Sequence, residues 1–194
     1  PFAYWASPAM VLSFTSYPKV GDRFQVRSGG NPRDDFRFIR HWVEVNSSSE
    51  KEEFVLYSKG GEFRTYHYDV HLMLQWKDNG RELKVHTADY RRSHGWSPDW
   101  RAYMNSYDDY FKPGITWPRR TSRLSFRILP AGCVFGDKSP VILAEGENSC
   151  SLPSYLAILN TSAFASVLKL MVSSSELAQS FEVGIVRTCP LPKL

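Results

Sequence analysis

The sequence lacks a long hydrophobic run and a secretory signal pattern. Its longest mostly apolar stretch, residues 152–172, is interrupted by Ser, Asn, Thr and Lys169. It therefore falls short of the roughly 20 apolar residues that a membrane-spanning helix needs. We expect a cytoplasmic protein that makes no contact with a membrane. The chain begins at Pro1 rather than at a methionine, which we interpret as the mark of a piece cut from a longer protein.

Cysteine is scarce, and its spacing is uninformative. The three cysteines, Cys133, Cys150 and Cys189, are odd in number, far apart and without a C-x-x-C pair. This pattern argues against a disulfide framework and against a structural zinc site. We predict buried or chemically idle thiols.

The usual signatures of catalysis are also missing. Glycine pairs at 29–30 and 60–61 lack the remaining spacing of a phosphate-binding loop. The string Asn31-Pro32-Arg33-Asp34 lacks the second proline and the aromatic ring that an amino-methyltransferase uses to hold a flipped base. No Ser or Cys has a recognisable nucleophile context. We predict no catalytic residue in this chain.

One string has the spacing of a metal site. His67, Asp69 and His71 share one face if the segment is a strand, and His86 is a distant fourth ligand. Because no fourth ligand lies nearby, ordinary surface or packed histidines are the better interpretation, and we predict no metal.

A metal-dependent nuclease of the common type needs a Pro-Asp followed by an acid, one spacer and a lysine. Pro98-Asp99 is present, but Asp109 lies one residue too far from Lys112. A small nuclease built on the histidine string stays as a weaker alternative.

Positive charge is modest in amount but concentrated in one part of the chain. The formal net charge is +4, and the segment 112–138 carries six cations against Asp137 alone. A basic block beside a nearly neutral C-terminal part indicates a face for a polyanion. A solvated pair of basic strands explains the block equally well.

Two segments hold the residues that we predict to bind DNA. In the first, Trp117 and Pro118 precede Arg119 and Arg120. Arginine binds guanine edges bidentately, and a tryptophan either stacks on a base or anchors a turn. The second, Lys59-Gly60-Gly61-Glu62-Phe63-Arg64, places two cations around a turn where a backbone can approach DNA closely. A plain surface hairpin is the alternative for this second segment. The predicted DNA-binding residues are Lys59, Gly60, Arg64, Trp117, Arg119, Arg120, Arg123 and Lys138.

Short alternating or apolar segments predict a strand-rich body. The predicted strands are residues 24–27, 36–39, 42–45, 54–57, 114–117, 123–129, 133–135, 140–143 and 181–186. A turn is predicted at 77–80, a short helix at 81–87 and irregular structure with a helical turn over 88–110. One C-terminal helix is predicted from Leu152, capped by Ser151 and amphipathic to Met171. The fold class is α+β, a single domain over 1–194 with a mixed or antiparallel sheet and a packed C-terminal helix.

A series of short motifs, in order along nearly the whole chain, carries a family resemblance. They are residues 2–7 (FAYWAS), 20–24 (VGDRF), 36–45 (FRFIRHWVEV), 59–64 (KGGEFR), 75–84 (QWKDNGRELK), 111–121 (FKPGITWPRRT), 126–138 (FRILPAGCVFGDK), 155–161 (YLAILNT), 181–184 (FEVG) and 190–192 (PLP). The chain resembles the C-terminal target-recognition domain of bacterial N6-adenine DNA methyltransferases. That family comprises the type IIG restriction–modification enzymes and the related BREX-type phage-defence methyltransferases.

The resemblance implies a division of labour. A catalytic domain elsewhere in the parent chain would bind S-adenosylmethionine and methylate an adenine, while this domain would lie on double-stranded DNA and choose the site. No cofactor is then expected in this chain itself. Two positions depart from the family pattern. The loop at 29–34 differs from the usual glycine-led loop, and Gln75 stands where the family usually has an asparagine. A protein-interaction module that docks through the C-terminal helix is the main alternative function.

Overall fold

The computed structural model describes residues 5–45, 52–143, 152–172 and 179–192. Within them the helices are α1 (Pro8–Ser16), α2 (Asp35–Phe38), α3 (Lys77–Ser93), α4 (Leu152–Leu159), α5 (Ser162–Lys169) and α6 (Val183–Thr188). The strands are β1 (Gln25–Arg27), β2 (Ile39–His41), β3 (Phe54–Ser58), β4 (Leu72–Gln75), β5 (Gly114–Thr116), β6 (Arg120–Thr121), β7 (Arg127–Leu129), β8 (Cys133–Phe135), β9 (Val141–Leu143) and β10 (Gln179–Ser180). Short 3-10 turns lie at Val20–Asp22, Trp42–Glu44, Trp100–Ala102 and Tyr107–Asp109.

The first sheet is antiparallel and is covered on both faces. Its strand order is β1-β9-β5-β7. Because side chains alternate along a strand, Ile142 faces a core shared with α4 and α5, whereas Val141 and Leu143 face a second core. Burial on both sides explains why β5 and β9 are buried throughout.

The second sheet is mixed and packs against that second core. Its order is β2-β4-β3-β8, with β3 and β8 parallel and the other pairs antiparallel. Tyr57, Leu74 and Phe135 contribute to the core from this sheet, and Leu83 contributes from α3. A two-stranded ribbon of β6 and β10 is separate from both sheets. The predicted α+β class with mixed or antiparallel sheets is confirmed.

Five predicted strands are confirmed, but two predicted strands at 36–39 and 42–45 are wrong over most of their length. The Asp34 side chain accepts a hydrogen bond from the backbone N–H of Arg37 at 3.1 Å and caps α2, so strand structure begins only at Ile39. The backbone N–H of His41 then donates to the Glu44 carboxylate at 2.6 Å and closes a 3-10 turn. Local capping side chains thus override an apolar pattern that favours a strand.

The predicted strand at 181–186 is also wrong, because α6 occupies most of it. Glu182 has an extended backbone (φ −69°, ψ 153°), and its carbonyl accepts a hydrogen bond from the N–H of Val186 at 3.2 Å. Val186 is fully buried in the first core. Tertiary packing therefore outweighs the strand preference of its β-branched residues.

The single predicted C-terminal helix is two helices, α4 and α5. The Asn160 side chain accepts from the N–H of Phe126 and donates to the carbonyl of Phe126, both at 2.9 Å. Thr161 then caps α5. The same amide occupies the backbone groups of Phe126, so β7 begins only at Arg127 and the predicted strand 123–129 is shortened. The predicted cap, Ser151, lies outside the described residues.

The region 77–110 is more helical than predicted. Asp78, Asn79 and Gly80 have left-handed φ values of 51°, 59° and 73°, which confirms the predicted turn. The helix beyond it reaches Ser93, so the prediction of irregular structure is wrong from 88 to 93. Helix α1 was not predicted; the Ser7 side chain caps it, and none of its residues is buried.

Candidate nucleic-acid interface

Three loops meet at one edge of the molecule and line a cleft of about 280 Å³. They follow β3, β5 and β8 in the chain. Because β3 and β8 are parallel, their carboxyl ends lie at the same edge, which brings together two segments far apart in sequence. The cleft is lined by Lys59, Gly60, Gly61, Pro118, Arg119, Arg120, Asp137 and Lys138. Five of the eight predicted DNA-binding residues are therefore neighbours.

Backbone and hydroxyl hydrogen bonds fix the loops of the cleft. The N–H of Arg119 donates to the carbonyl of Lys138 at 3.1 Å. Beneath them, the buried hydroxyl of Ser139 lies 2.7 Å from the hydroxyls of both Ser58 and Thr116. A fully bonded buried network of this kind holds its strands in one arrangement.

Gly60 is required by the geometry of the turn. Its φ is +77°, and a Cβ atom there would lie 2.9 Å from the carbonyl oxygen of Lys138. Any side chain would therefore be strained and would also collide with the opposite wall of the cleft. The sequence predicted that the backbone of this turn approaches DNA closely. In the structure the backbone at Gly60 lies close to the protein's own backbone at Lys138.

A buried arginine supports the turn from below. Arg127 is 1% exposed, and its guanidinium donates to the carbonyls of Gly60 and, at 3.2 Å, Glu62. It also lies 4.3 Å from the centre of the Tyr68 ring. Burial lowers the pKa of Arg127. From the sequence, Arg127 was predicted only as one of the cations of the basic block. Its position in an alternating segment did not indicate that it is buried.

Two cations of the cleft are held by carboxylates. Lys59 forms an ion pair with Asp35. The Nε–H of Arg119 donates to Glu182 Oε1 at 2.9 Å, and Nε lies 2.8 Å from Oε2 in the same ion pair. Burial alone raises the pKa of Glu182, but hydrogen bonds from Ser180 and Arg119 and the charges of Arg119 and Arg120 outweigh it, so the net pKa is lowered. Nothing in the sequence indicated that Glu182 would pair with Arg119.

The remaining two cations of the cleft, Arg120 and Lys138, are exposed. Among the described residues neither forms a salt bridge. One acid, Asp137, also lines the cleft and accepts a hydrogen bond from the Asn31 amide at 3.3 Å. The cleft thus combines four cations with one carboxylate on its lining.

Trp117 lies beneath the surface. Its side chain is fully buried, and its indole N–H donates to the carbonyl of Phe181 at 2.8 Å. The ring packs at 5.7 Å from that of Phe126. Of the two roles considered from the sequence, this position allows the anchor and leaves no ring face open to a base.

Arg64 and Arg123 lie outside the cleft. Arg64 is exposed, with its nearest guanidinium nitrogen 3.9 Å from the Glu62 carboxylate. Arg123 lies 4.6 Å from the centre of the Phe63 ring and lines a second groove, formed with α4 and α5.

The proposed metal string does not form a cluster. His67 lies 3.7 Å from Asp69, and both are exposed, whereas His71 stacks on His41 with ring centres 6.0 Å apart. Within the described ranges no group of three or more His, Cys, Asp or Glu side chains is placed to hold a metal ion. Asp109 is instead bound to Arg27 and Lys112 at 3.1 and 2.6 Å.

The glycine pairs do not form a cradle for a cofactor. A Cβ atom on Gly29 would lie 1.9 Å from the carbonyl oxygen of Phe135, and one on Gly30 would lie 2.5 Å from the Tyr110 hydroxyl. Protein atoms thus fill the space beside this pair, as Lys138 does beside Gly60. These close contacts account for the glycines without a cofactor.

Cys133 and Cys189 are buried free thiols, as predicted, and burial raises the pKa of Cys133 to about 11 and that of Cys189 to about 12. Cys150 lies outside the described residues. None of the helices in the described part of the chain is long and apolar enough to cross a membrane.

Sequence comparison relates the chain to two bacterial proteins. No family model matches it. It is 26% identical over 200 residues to the adenine-specific methyltransferase BrxX of Escherichia coli O9:H4 (strain HS). It is 27% identical over 210 residues to the adenine-specific methyltransferase PglX of Lacticaseibacillus casei (strain Zhang). Each alignment covers 100% of this chain but only 15% and 16% of the respective relative. The chain is thus similar over its whole length to a small part of each of two adenine-specific methyltransferases.

Proposed function

We propose that this chain, over residues 1–194, is the DNA target-recognition domain of an adenine-specific DNA methyltransferase of a phage-defence or restriction–modification system. Its role is to lie on double-stranded DNA and position the target adenine. The observation that carries the proposal is the cleft, where loops after three strands bring Lys59, Arg119, Arg120 and Lys138 together. The similarity to BrxX and PglX supports the enzyme class.

The cleft has the chemistry of a DNA-reading edge. Arg120 and Lys138 have no salt bridge within the described part of the chain, so their charges are available to phosphates or bases. Arg119 is held in place by Glu182, and a guanidinium held in this way loses less freedom when it binds a guanine edge. Each bidentate contact of this type contributes roughly 1–3 kcal/mol of discrimination.

Methyl transfer itself is assigned to another part of the parent chain. Close contacts within the fold account for the glycine pairs, and the string at 31–34 lacks the base-flipping motif of an amino-methyltransferase. In this division of labour the parent's catalytic domain supplies cofactor binding and chemistry and is a partner of this domain. The domain acts through DNA binding in the cytoplasm.

The test is binding of the 194-residue chain to random-sequence duplex DNA over a salt series, repeated with Arg119→Ala/Arg120→Ala. The matched control is Arg92→Ala/Arg101→Ala, which removes two exposed arginines beside α3. We expect salt-sensitive binding, a loss of at least about tenfold for the cleft variant, and little change for the control.

Equal losses in the two double variants would contradict the proposed site, because net charge alone would then explain binding. If the chain fails to bind at low salt, the same series is repeated with the chain joined to the parent's catalytic domain. Failure of that longer protein to bind DNA would overturn the proposal.

A protein-interaction module is the second candidate. The apolar stripe of α4 and α5, through which docking was predicted, packs into the first core, but helix α1 offers another contact surface. None of the residues of α1 is buried, and Val11 and Leu12 are 58% and 62% exposed. An apolar helix surface of this kind is typical of a protein contact. Val11→Ser/Leu12→Ser is expected to leave DNA binding unchanged under the main proposal. Loss of DNA binding with that variant would place α1 on the DNA-binding surface and would remove this support for an interaction module.

A further inference from the structure

A second groove lies beside the cleft and has no role in the function proposed so far. It has a volume of about 410 Å³ and lies between the loop after β6 and the junction of α4 and α5. Phe63, Leu159 and Phe181 contribute apolar surface to it. Of its described lining residues, only Arg123 is among the predicted DNA-binding residues.

The polar part of the groove is cationic and rich in hydroxyl groups. Arg123 and Lys169 supply positive charge, and Ser122, Thr161 and Ser166 supply hydroxyls. No Asp or Glu is among its described lining residues. Lys169 is exposed and forms no salt bridge with any residue that the structure describes. Cations and hydroxyls without an acid are the groups that bind phosphate and sugar oxygens.

The groove is continuous with the cleft along the chain. Arg119 and Arg120 line the cleft, whereas Ser122 and Arg123 line the groove. Three residue steps from Arg120 to Arg123 span at most about 11 Å. That length is close to the roughly 10 Å that three steps of one DNA strand cover along the duplex axis.

We propose that the sugar–phosphate backbone of the bound duplex continues from the cleft into this groove, where Arg123 and Lys169 contact phosphates. The inference rests on the proposed function, since it extends the same DNA-binding face. The Phe63 ring, 4.6 Å from the Arg123 guanidinium, orients that cation through a cation–π contact. Lys169 is a point charge on a flexible stem, which suits a phosphate rather than a base edge.

The experiment is a salt series on duplex binding with Lys169→Ala, Lys169→Arg and Lys112→Ala. Lys112→Ala is the matched control because it removes one exposed lysine, which is paired with Asp109. Removal of one phosphate contact lowers the slope of log K against log salt by about 0.9. We expect that change for Lys169→Ala, recovery for Lys169→Arg and an unchanged slope for the control. The loss should be equal on unrelated DNA sequences, because a phosphate contact carries no sequence information.

Failure of this inference is distinguishable from failure of the proposed function. If Arg119→Ala/Arg120→Ala weakens binding while Lys169→Ala leaves the slope unchanged, the cleft binds DNA and the groove does not. If the unchanged protein binds no duplex, either alone or joined to the parent's catalytic domain, the proposed function itself fails. A free mononucleotide that competes with duplex at micromolar concentration, and that loses this competition with Lys169→Ala, would show a small-molecule phosphate site and overturn the backbone proposal.

Discussion

Four cations on or beside α3 differ in their partners from the exposed cations of the cleft and groove. Beside α3, Arg37 binds Glu82 at 2.7 Å, Arg101 binds Asp108 at 3.1 Å and Arg92 binds Asp89. The Lys84 amine lies 4.3 Å from the centre of the Tyr107 ring. Each of these charges is balanced or covered by a neighbour in the folded chain.

In the cleft and groove, by contrast, Arg120, Lys138 and Lys169 have no salt bridge within the described ranges. Surface ion pairs contribute little to stability, but they cancel the local potential that attracts a polyanion. Under the proposed function, unpaired cations mark the DNA-binding face, whereas the number of cations in a region does not. A variant that changes pairing in one region and not the other therefore tests this view directly.

The largest effect is expected from the buried cation below the cleft. Arg127→Met leaves the carbonyls of Gly60 and Glu62 without the donor that holds the turn. A buried acceptor that loses its partner costs roughly 1–3 kcal/mol, and two acceptors are affected here. We therefore expect the free energy of unfolding in urea to fall by about 2–4 kcal/mol, in the lower part of the summed range because Glu62 is exposed. Duplex binding by the folded fraction should weaken as well, since the turn carries Lys59.

Arg81→Met is the matched control for Arg127→Met, because Arg81 is exposed on α3. Its effect on unfolding should stay within about 0.5 kcal/mol. Equal stability of the two variants would show that the buried guanidinium does not support the turn.

The second largest effect is expected at Trp117. A change there distinguishes a structural anchor from a residue that stacks on a DNA base. Trp117→Phe removes the indole N–H that donates to the Phe181 carbonyl. We expect a loss of about 1–3 kcal/mol in the free energy of unfolding and unchanged duplex affinity for the folded protein. Trp96→Phe, at an exposed position, should alter neither quantity. Lost affinity with full stability would instead make Trp117 a DNA contact.

Much of the strand structure is predictable because it depends on local patterns. Residues 54–58, 114–116, 133–135 and 141–143 are short apolar runs bounded by turn residues, and all four are strands. Two of the errors fall where one side chain binds backbone groups. The carboxylate of Asp34 and the amide of Asn160 redirect the chain, and apolar periodicity does not register such a bond.

The candidate site is predictable in its residue types but not in its grouping. Residue order gives no reason for Lys59 and Lys138 to be neighbours; the parallel pairing of β3 with β8 brings them together. The pairing of Arg119 with Glu182 and the burial of Arg127 depend on the same long-range contacts. These features determine which cations are available to bind DNA, and they cannot be derived from a single sequence.

The third prediction creates an unpaired cation inside the cleft. Glu182→Gln removes the negative charge that balances Arg119. We expect duplex affinity at low salt to rise by about two- to fivefold, in the range of an exposed ion pair. Because the pKa of Glu182 is lowered, its carboxylate stays charged throughout the neutral range. The gain should therefore not depend on pH there. A fall in affinity would mean that the position of Arg119, rather than its charge, controls binding.

The smallest effect is expected when the same kind of change is made beside α3. Asp89→Asn removes the carboxylate partner of Arg92, so it changes net charge by the same amount as Glu182→Gln. Arg92 lines neither the cleft nor the groove. If DNA lies there, the freed charge of Arg92 is screened by salt, so duplex affinity should change by less than about twofold at physiological ionic strength. Parallel titrations of the two variants on one duplex measure the difference. An equal gain from Asp89→Asn would show that DNA responds to net charge alone, and the two regions would then be equivalent in function despite their different pairing.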